Sequence, residues 1–133
     1  MAMPDPDDQF ASPNILVVED DPSIRLLLAE ELRDAGFMVI EAASADEALD
    51  CFLSLQPVDL VFTDVQMPGS IDGLELARRL QGLAPALPLI VTSGAIGRDT
   101  VDPHFRYIAK PYRMDDVREL VRSALNLPFR DGA

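Results

Sequence analysis

Charged side chains follow three short apolar runs of this chain, at points where buried strands are expected to end. Glu19 and Asp20 follow the run ILVV, Asp64 follows LVFT, and Lys110 follows YIA. Because ligands of open α/β sheets gather beyond the carboxyl ends of the strands, these four side chains are expected to converge. Three carboxylates beside one ammonium suit a hard divalent cation, and one carboxylate can act as a nucleophile. The set predicts phosphoryl transfer onto Asp64.

The composition favours one acidic domain. The chain has 133 residues, with 23 Asp and Glu against 11 Lys and Arg, which gives a formal charge of −12. Nucleic acid is not an expected partner, because its binding depends on clustered Lys and Arg. No apolar stretch reaches the roughly 20 residues that a membrane span needs, and the acidic start MAMPDPDDQF is unlike a signal peptide. We therefore expect no membrane partner and a cytoplasmic location.

Short apolar runs alternate along the chain with helical patterns. Asp21 and Pro22 predict a helix start, with the Asp side chain as cap, and Gly36 predicts its end. A capping box from Ser44 to Glu47 predicts the start of the next helix. The strands are predicted at residues 15–18, 37–42, 58–63, 87–91 and 107–109, and the long helices at residues 22–35, 45–56, 74–80 and 114–125.

This alternation predicts an α/β fold, with a parallel sheet covered on both faces by right-handed crossovers. The fourth helix, between Arg98 and Phe105, is expected to be short or irregular, because the stretch SGAIGRDTVDPHF contains two glycines and a proline. The domain is predicted over residues 14–126, with a disordered N-terminal tail over residues 1–13 and a C-terminal tail over residues 127–133.

Four motifs in a fixed order carry a resemblance to a known family. The segments ILVVEDDPSIR, DLVFTDVQMPG, LIVTSG and YIAKPY each lie at the carboxyl end of a predicted strand. Together they resemble the receiver domain of two-component response regulators, over about residues 14–125. The resemblance implies a flavodoxin-like, doubly wound (βα)5 fold whose five parallel strands lie in the order 2-1-3-4-5.

The resemblance also implies a metal site and a phosphoacceptor. Asp64 matches the aspartate that is phosphorylated in the family. Glu19 and Asp20 match the acidic pair that holds Mg²⁺ together with the Asp64 carboxylate and the backbone carbonyl of Gln66. Oxygen ligands of this kind are those that magnesium prefers.

Three further positions match residues that respond to the phosphoryl group. Thr92 matches the hydroxyl residue that hydrogen-bonds this group, and Lys110 matches the cation that pairs with it. The Lys110–Pro111 peptide bond is cis in the family. Thr92 and Tyr107 match the pair of switch residues, in which the aromatic side chain turns inward behind the hydroxyl.

The function implied is that of a phosphorylation-activated signalling switch. The donor would be a histidine kinase or a histidine phosphotransfer protein, and the output would be a downstream protein target. The chain would catalyse only its own phosphorylation and dephosphorylation, so it is not expected to be an enzyme in the usual sense. We expect a monomer or a phosphorylation-dependent dimer, although a shortened fourth helix puts dimerisation through that helix in doubt.

Three alternatives remain open from the sequence. The chain could be a receiver-like binding module that works without phosphorylation, but none of the expected site residues is missing. It could be the receiver of a larger hybrid kinase. It could also be a phosphatase with an aspartyl-phosphate intermediate, but such enzymes need a second Asp two residues after the nucleophile, where this chain has Gln66.

Overall fold

Five strands and four helices alternate in the computed structural model of this protein, which describes residues 12–54, 56–95 and 97–127. The strands are β1 (Asn14–Val18), β2 (Met38–Ala42), β3 (Leu60–Asp64), β4 (Leu89–Ser93) and β5 (Arg106–Ala109). The helices are α1 (Pro22–Asp34), α2 (Ala45–Leu53), α3 (Gly73–Leu83) and α4 (Met114–Ala124).

The strands form one parallel sheet in the order β2-β1-β3-β4-β5. The predicted fold class and strand order are therefore confirmed. In β3 and β4 every residue is buried, as expected for central strands that are covered on both faces. The carboxyl ends of β1, β3 and β4 consequently meet at one edge of the sheet.

Two hydrophobic clusters hold the helices against the two faces of the sheet. Helices α1 and α4 pack on one face through Leu28, Leu32, Val117 and Val121, whereas α2 and α3 pack on the other face through small and branched side chains. Each large aliphatic side chain that is fully buried contributes about 1.5–3 kcal/mol of hydrophobic stabilisation. The strands that carry the charged residues at their carboxyl ends are therefore held in place from both faces of the sheet.

The start and the end of α1 follow the predicted chemistry. The carboxylate of Asp21 accepts hydrogen bonds from the backbone N–H groups of Ser23 and Ile24, and Pro22 takes the first helical position. After the helix, Gly36 adopts a φ of 99°, a conformation that costs a glycine little. The contacts of the Asp21 cap fix the direction in which the chain leaves β1 and enters the helix.

The predicted fourth helix is reduced to one 3₁₀ turn, at Arg98–Thr100. This confirms the expectation of a short or irregular segment, since two glycines and a proline lie in the stretch between β4 and β5. Val101 and Phe105 from this connection are buried and pack on the α2–α3 side of the sheet. The connection thus covers the core without a regular helix.

Seven of the ten strand ends differ from the predicted ones by one or two residues: all five starts, and the carboxyl ends of the third and fourth strands. The predicted third and fourth strands stop too early, because Asp64 and Thr92 pair with each other inside the ladder and the N–H of Val65 donates to the carbonyl of Thr92 over 3.0 Å. Polar residues end apolar runs, but they do not end backbone hydrogen bonding.

Most of both predicted tails lies outside the described residues, since residues 1–11 and 128–133 are not among them, and Leu55 is likewise outside. Within the described part of the chain, no helix combines the length and the apolar character needed to cross a membrane.

Candidate functional site

Three carboxylates converge at the carboxyl edge of the sheet. Glu19 follows β1 directly, Asp20 comes next, and Asp64 is the last residue of β3. One oxygen from each lies within 4.8 Å of the others. Glu19 and Asp64 are only 2% and 6% exposed, whereas Asp20 is exposed. The structure thus brings these three residues together at the carboxyl edge of the sheet.

The ammonium of Lys110 bridges two of these carboxylates. Its Nζ lies 3.1 Å from Oε1 of Glu19 and 3.0 Å from Oδ2 of Asp64. The backbone N–H of Lys110 donates to the carbonyl of Ser93 over 3.1 Å, which anchors the residue that follows β5 to the end of β4. The peptide bond between Lys110 and Pro111 is cis.

Burial and charge act in opposite directions on these groups. Burial raises the pKa of Glu19, and the neighbouring charge of Asp64 adds to this, while hydrogen bonds from the Asp21 N–H and from Lys110 oppose it. For Lys110, burial alone would lower the pKa, but the hydrogen bonds to Asp64 and Glu19 and the negative charges of these groups together outweigh it, so the pKa is raised. The lysine therefore stays protonated. Its single positive charge does not balance the negative charges of the carboxylates around it.

The donor set fits a hard divalent cation. Three carboxylates against one ammonium leave two negative charges, which one divalent cation balances. All ligand atoms are oxygens, the type that Mg²⁺ and Ca²⁺ take, whereas zinc sites are usually built from Cys and His. Among the described residues, this cluster of Glu19, Asp20 and Asp64 has the geometry to hold a metal ion.

A buried hydroxyl lies next to the Asp64 carboxylate in the sheet. Thr92 pairs with Asp64 in the β3–β4 register and is 1% exposed, yet its Oγ1 has no hydrogen-bond partner among the described residues. Buried polar groups are nearly always hydrogen-bonded, so an orphaned hydroxyl at the edge of an acidic pocket is a specific feature. It is suited to donate to an oxygen-rich group attached to Asp64.

The aromatic ring of β5 connects to the end of β4. The hydroxyl of Tyr107, which is half-buried, donates to the backbone carbonyl of Ser93 over 3.1 Å. This is the same carbonyl that accepts the N–H of Lys110. The peptide group between Ser93 and Gly94 therefore links the Tyr107 side chain to the Lys110 backbone.

The loop that follows Asp64 is held by short contacts. The N–H of Gln66 donates to Oδ1 of Asp64 over 3.3 Å. Ser70, further along this loop, donates its hydroxyl to Oδ1 of Asp46 over 2.7 Å. The resemblance assigned a metal contact to the carbonyl of Gln66, and the structure places this residue beside the carboxylate cluster.

Sequence reasoning missed a glycine that positions Asp64. Gly73 begins α3, and a Cβ at this position would overlap the backbone carbonyl of Asp64. Its N–H also donates to the carbonyl of Val65 over 2.9 Å. The Asp-Gly pair at the start of the helix was visible in the sequence, but only the packing explains why a glycine is required there.

An apolar groove runs beside the lysine. It has a volume of about 510 Å³, and its lining residues are Ile24, Leu27, Gly94, Lys110, Pro111, Tyr112 and Met114. The ring of Tyr112 packs edge-on against Phe62, with ring centres 6.0 Å apart, and burial raises the pKa of Tyr112 to about 12. Leu26 and Leu27 of α1 are both 49% exposed. Apolar surface thus lies close to the charged pocket.

Comparisons with known proteins agree with this arrangement. A family model described as the response regulator receiver domain matches residues 15–122. The chain is 35% identical over 119 residues to the C4-dicarboxylate transport transcriptional regulatory protein DctD of Rhizobium meliloti, covering 86% of this chain and 25% of that protein. It is 30% identical over 118 residues to sporulation initiation phosphotransferase F of Bacillus subtilis, covering 85% of this chain and 94% of that protein.

A solved structure shares the fold. The response regulator receiver protein from Sinorhizobium medicae superposes with a TM-score of 0.82 at 26% identity, with 88% of this chain and 97% of that chain covered. The chain thus spans about a quarter of the length of the first relative and nearly all of the second.

Proposed function

This chain belongs to the family of response regulator receiver domains, and from this premise we propose that it is a signalling switch activated by phosphorylation of Asp64. The phosphoryl donor is a histidine kinase or a histidine phosphotransfer protein. The output is the binding of a downstream protein target. The chain works in the cytoplasm and carries out only its own phosphorylation and dephosphorylation.

One observation carries this proposal. The Asp64 carboxylate is buried, with the Lys110 ammonium 3.0 Å from Oδ2 and the unpartnered hydroxyl of Thr92 on the neighbouring strand. A carboxylate that only served the fold would need neither two further carboxylates nor an orphaned hydroxyl beside it. Both features suit the charge and the oxygens of a phosphoryl group.

The reaction follows from these groups. An oxygen of Asp64 attacks the phosphorus of a phosphohistidine, the P–N bond breaks, and its electron pair returns to the imidazole nitrogen. The new phosphoryl oxygens accept a hydrogen bond from Thr92 and pair with Lys110. Mg²⁺, held by Glu19, Asp20, Asp64 and the backbone carbonyl of Gln66, would neutralise charge on the transferred group.

The energy available is of the size that a switch needs. Phosphorylation adds about −1.5 to −2 charge at Asp64. A new bond to that charge from Thr92, and the contact of Lys110 once it passes from Asp64 to the phosphoryl group, are each worth at most roughly 1.5–3 kcal/mol. Moving a two-state equilibrium from 1:99 to 99:1 takes about 5.5 kcal/mol. The shared carbonyl of Ser93 connects this change to Tyr107. We expect Tyr107→Ala to leave phosphorylation intact and to remove the effect of phosphorylation on partner affinity.

The groove beside Lys110 gives the donor a surface from which to reach the pocket. A phosphohistidine has to approach Asp64 from outside the sheet edge, and Leu27 of α1 presents exposed apolar surface on that side. Association of apolar surfaces would hold the donor while transfer occurs. Leu27→Asp should therefore slow transfer from a protein donor without slowing transfer from acetyl phosphate.

The test is phosphorylation by acetyl phosphate in the presence of Mg²⁺. We expect the intact mass to increase by one phosphoryl group in the parent protein and to stay unchanged in Asp64→Asn. Asp59→Asn is the matched control, because Asp59 lies at the opposite edge of the sheet, where it accepts the N–H of Asn14. Incorporation into the Asp64→Asn variant, or none in the parent, would contradict the proposal.

A further inference from the structure

An arginine of α1 holds the backbone of the acidic loop. Arg25 reaches back from the first turns of the helix, and its Nη1 donates to the backbone carbonyl of Glu19 over 2.9 Å. That carbonyl belongs to the peptide that joins Glu19 to Asp20. Since a peptide group is planar, fixing its carbonyl fixes the directions in which both residues leave it.

The sheet fixes the backbone of Glu19 on its N-terminal side, through its N–H group. The N–H of Glu19 donates to the carbonyl of Ala42 over 3.1 Å, which is the last bond that ties this chain to β2. Beyond it the chain leaves the ladder and turns into α1. The contact from Arg25 therefore lies at the point where the strand no longer determines the backbone.

Arg25 is itself fixed by a second carboxylate. Its Nε lies 3.5 Å from Oε1 of Glu41, on β2, and both side chains are largely buried, with 20% and 30% exposure. Arg33 contacts the other oxygen of Glu41 at 3.3 Å and donates to the carbonyl of Val39, but neither contact involves Glu19. Two arginines thus share one carboxylate, and only Arg25 is hydrogen-bonded to the acidic loop in this network.

We propose that Arg25 is a positioning residue for the cation site, which sets the Glu19 and Asp20 carboxylates through the peptide between them, with Glu41 holding the guanidinium in place. This inference rests on the proposed function, because it concerns the Mg²⁺ that the function requires. Residues of this kind, which support metal ligands without touching the metal, typically change metal affinity 10- to 100-fold when they are replaced.

The direction in which Mg²⁺ affinity changes distinguishes a positioning role of Arg25 from a purely electrostatic one. Arg25 carries a positive charge close to a site for a cation, so removing that charge alone should tighten Mg²⁺ binding. Loss of positioning acts in the other direction, because the carboxylates then have to be ordered when the cation binds. Weaker binding after removal of a nearby positive charge therefore identifies the positioning role.

The experiment is calorimetric titration of the folded protein with Mg²⁺, with urea unfolding of each variant measured without Mg²⁺. We expect Arg25→Ala to weaken Mg²⁺ binding about tenfold or more, and Arg25→Lys to recover part of the affinity, because one ammonium can still reach the carbonyl. Glu41→Gln should weaken binding less than Arg25→Ala. Arg33→Ala, the matched control, removes a charge from the same network and should leave the affinity unchanged.

Several results would overturn the inference. Unchanged or tighter Mg²⁺ binding by Arg25→Ala would do so, as would an equal loss in Arg33→Ala. If Arg25→Ala does not fold, Arg25→Lys and Glu41→Gln carry the test, and parent-like affinity in both would count against the role. A parent protein that neither binds Mg²⁺ nor accepts a phosphoryl group would overturn the proposed function itself. If the parent does both, a negative result with the Arg25 variants contradicts the positioning role alone.

Discussion

The carboxyl edge of β1, β3 and β4 and the connection between β4 and β5 adjoin each other, yet they are built in opposite ways. At the edge, Glu19, Asp64 and Thr92 are buried, and ladder hydrogen bonds between strands fix their backbones. In the connection, most residues are exposed, and local hydrogen bonds such as that from the N–H of His104 to Asp102 hold the chain.

This difference indicates which region fixes the positions of the reactive groups and which region tolerates substitution. A residue at the end of a central strand cannot move without breaking its ladder, so its chemistry is fixed by the register of the whole sheet. A residue in the β4–β5 connection can change with little effect on the fold, because Val101 and Phe105 are the deeply buried residues in the described part of that segment. We therefore expect substitutions to have large effects at the edge and small effects in the connection.

The largest effect is expected at Gly73, behind Asp64. Gly73→Ala places a Cβ against the backbone carbonyl of Asp64, and overpacking against backbone costs about 3 kcal/mol. Gly82→Ala in the same helix is the matched control, because nothing lies within 4 Å of its Cβ position, and alanine should stabilise there by about 0.5–1 kcal/mol. Urea unfolding measures both, and equal changes of the same sign would contradict this account.

The next largest loss of stability is expected from a substitution of Lys110. Lys110→Met leaves two buried carboxylates without their shared cation. Loss of one partner of a buried pair costs about 3–5 kcal/mol, and the 25% exposure of the lysine side chain reduces this to about 1–3 kcal/mol. Added Mg²⁺ should stabilise the variant more than the parent. Arg106→Met, at an exposed position of β5, should change the free energy of unfolding by less than about 0.5 kcal/mol.

A smaller effect is expected from pH, through Glu19. Its pKa is raised in the folded protein by burial and by Asp64, so the folded state takes up a proton before the unfolded state as the pH falls. Without Mg²⁺, the free energy of unfolding of the parent should therefore rise relative to that of Glu19→Gln as the pH is lowered from 7 toward the ordinary value of 4.5. A constant difference between the two proteins across this range would show that Glu19 is not perturbed.

The smallest effect is expected in the connection, at His104. Its side chain is 76% exposed and pairs with the neighbouring Asp102 over 2.7 Å. His104→Ala should change the free energy of unfolding by less than about 0.5 kcal/mol and leave phosphorylation by acetyl phosphate unaltered. A loss as large as that of Lys110→Met would remove the contrast between the two regions.

Sequence patterns predicted the parts of this molecule that depend on short-range chemistry. Apolar runs with charged ends placed Glu19, Asp64 and Lys110 at one edge, since parallel strands bring their carboxyl ends together. Cap residues such as Asp21 predicted where a helix begins, because the cap bonds to N–H groups only two and three positions away.

The remaining features depend on contacts that sequence spacing does not encode. Nothing in the local sequence indicates that Arg25 reaches back to the carbonyl of Glu19, or that Glu41 on another strand holds it there. The requirement for Gly73 arises from the backbone of Asp64, nine positions earlier, and appears only when α3 packs against β3. Long-range packing, rather than local preference, decides these positions.

The most direct test of the central claim uses the fact that Lys110 is the only lysine in the chain. Selective ¹⁵N labelling of lysine therefore gives one side-chain signal, from the ammonium that bridges Glu19 and Asp64. Beryllofluoride, which mimics a phosphoryl group, should shift this signal when Mg²⁺ is present, and the shift should vanish in Asp64→Asn. A Lys110 signal that does not respond to beryllofluoride and Mg²⁺ in the parent protein would contradict a shared pocket for Asp64, the cation and the lysine.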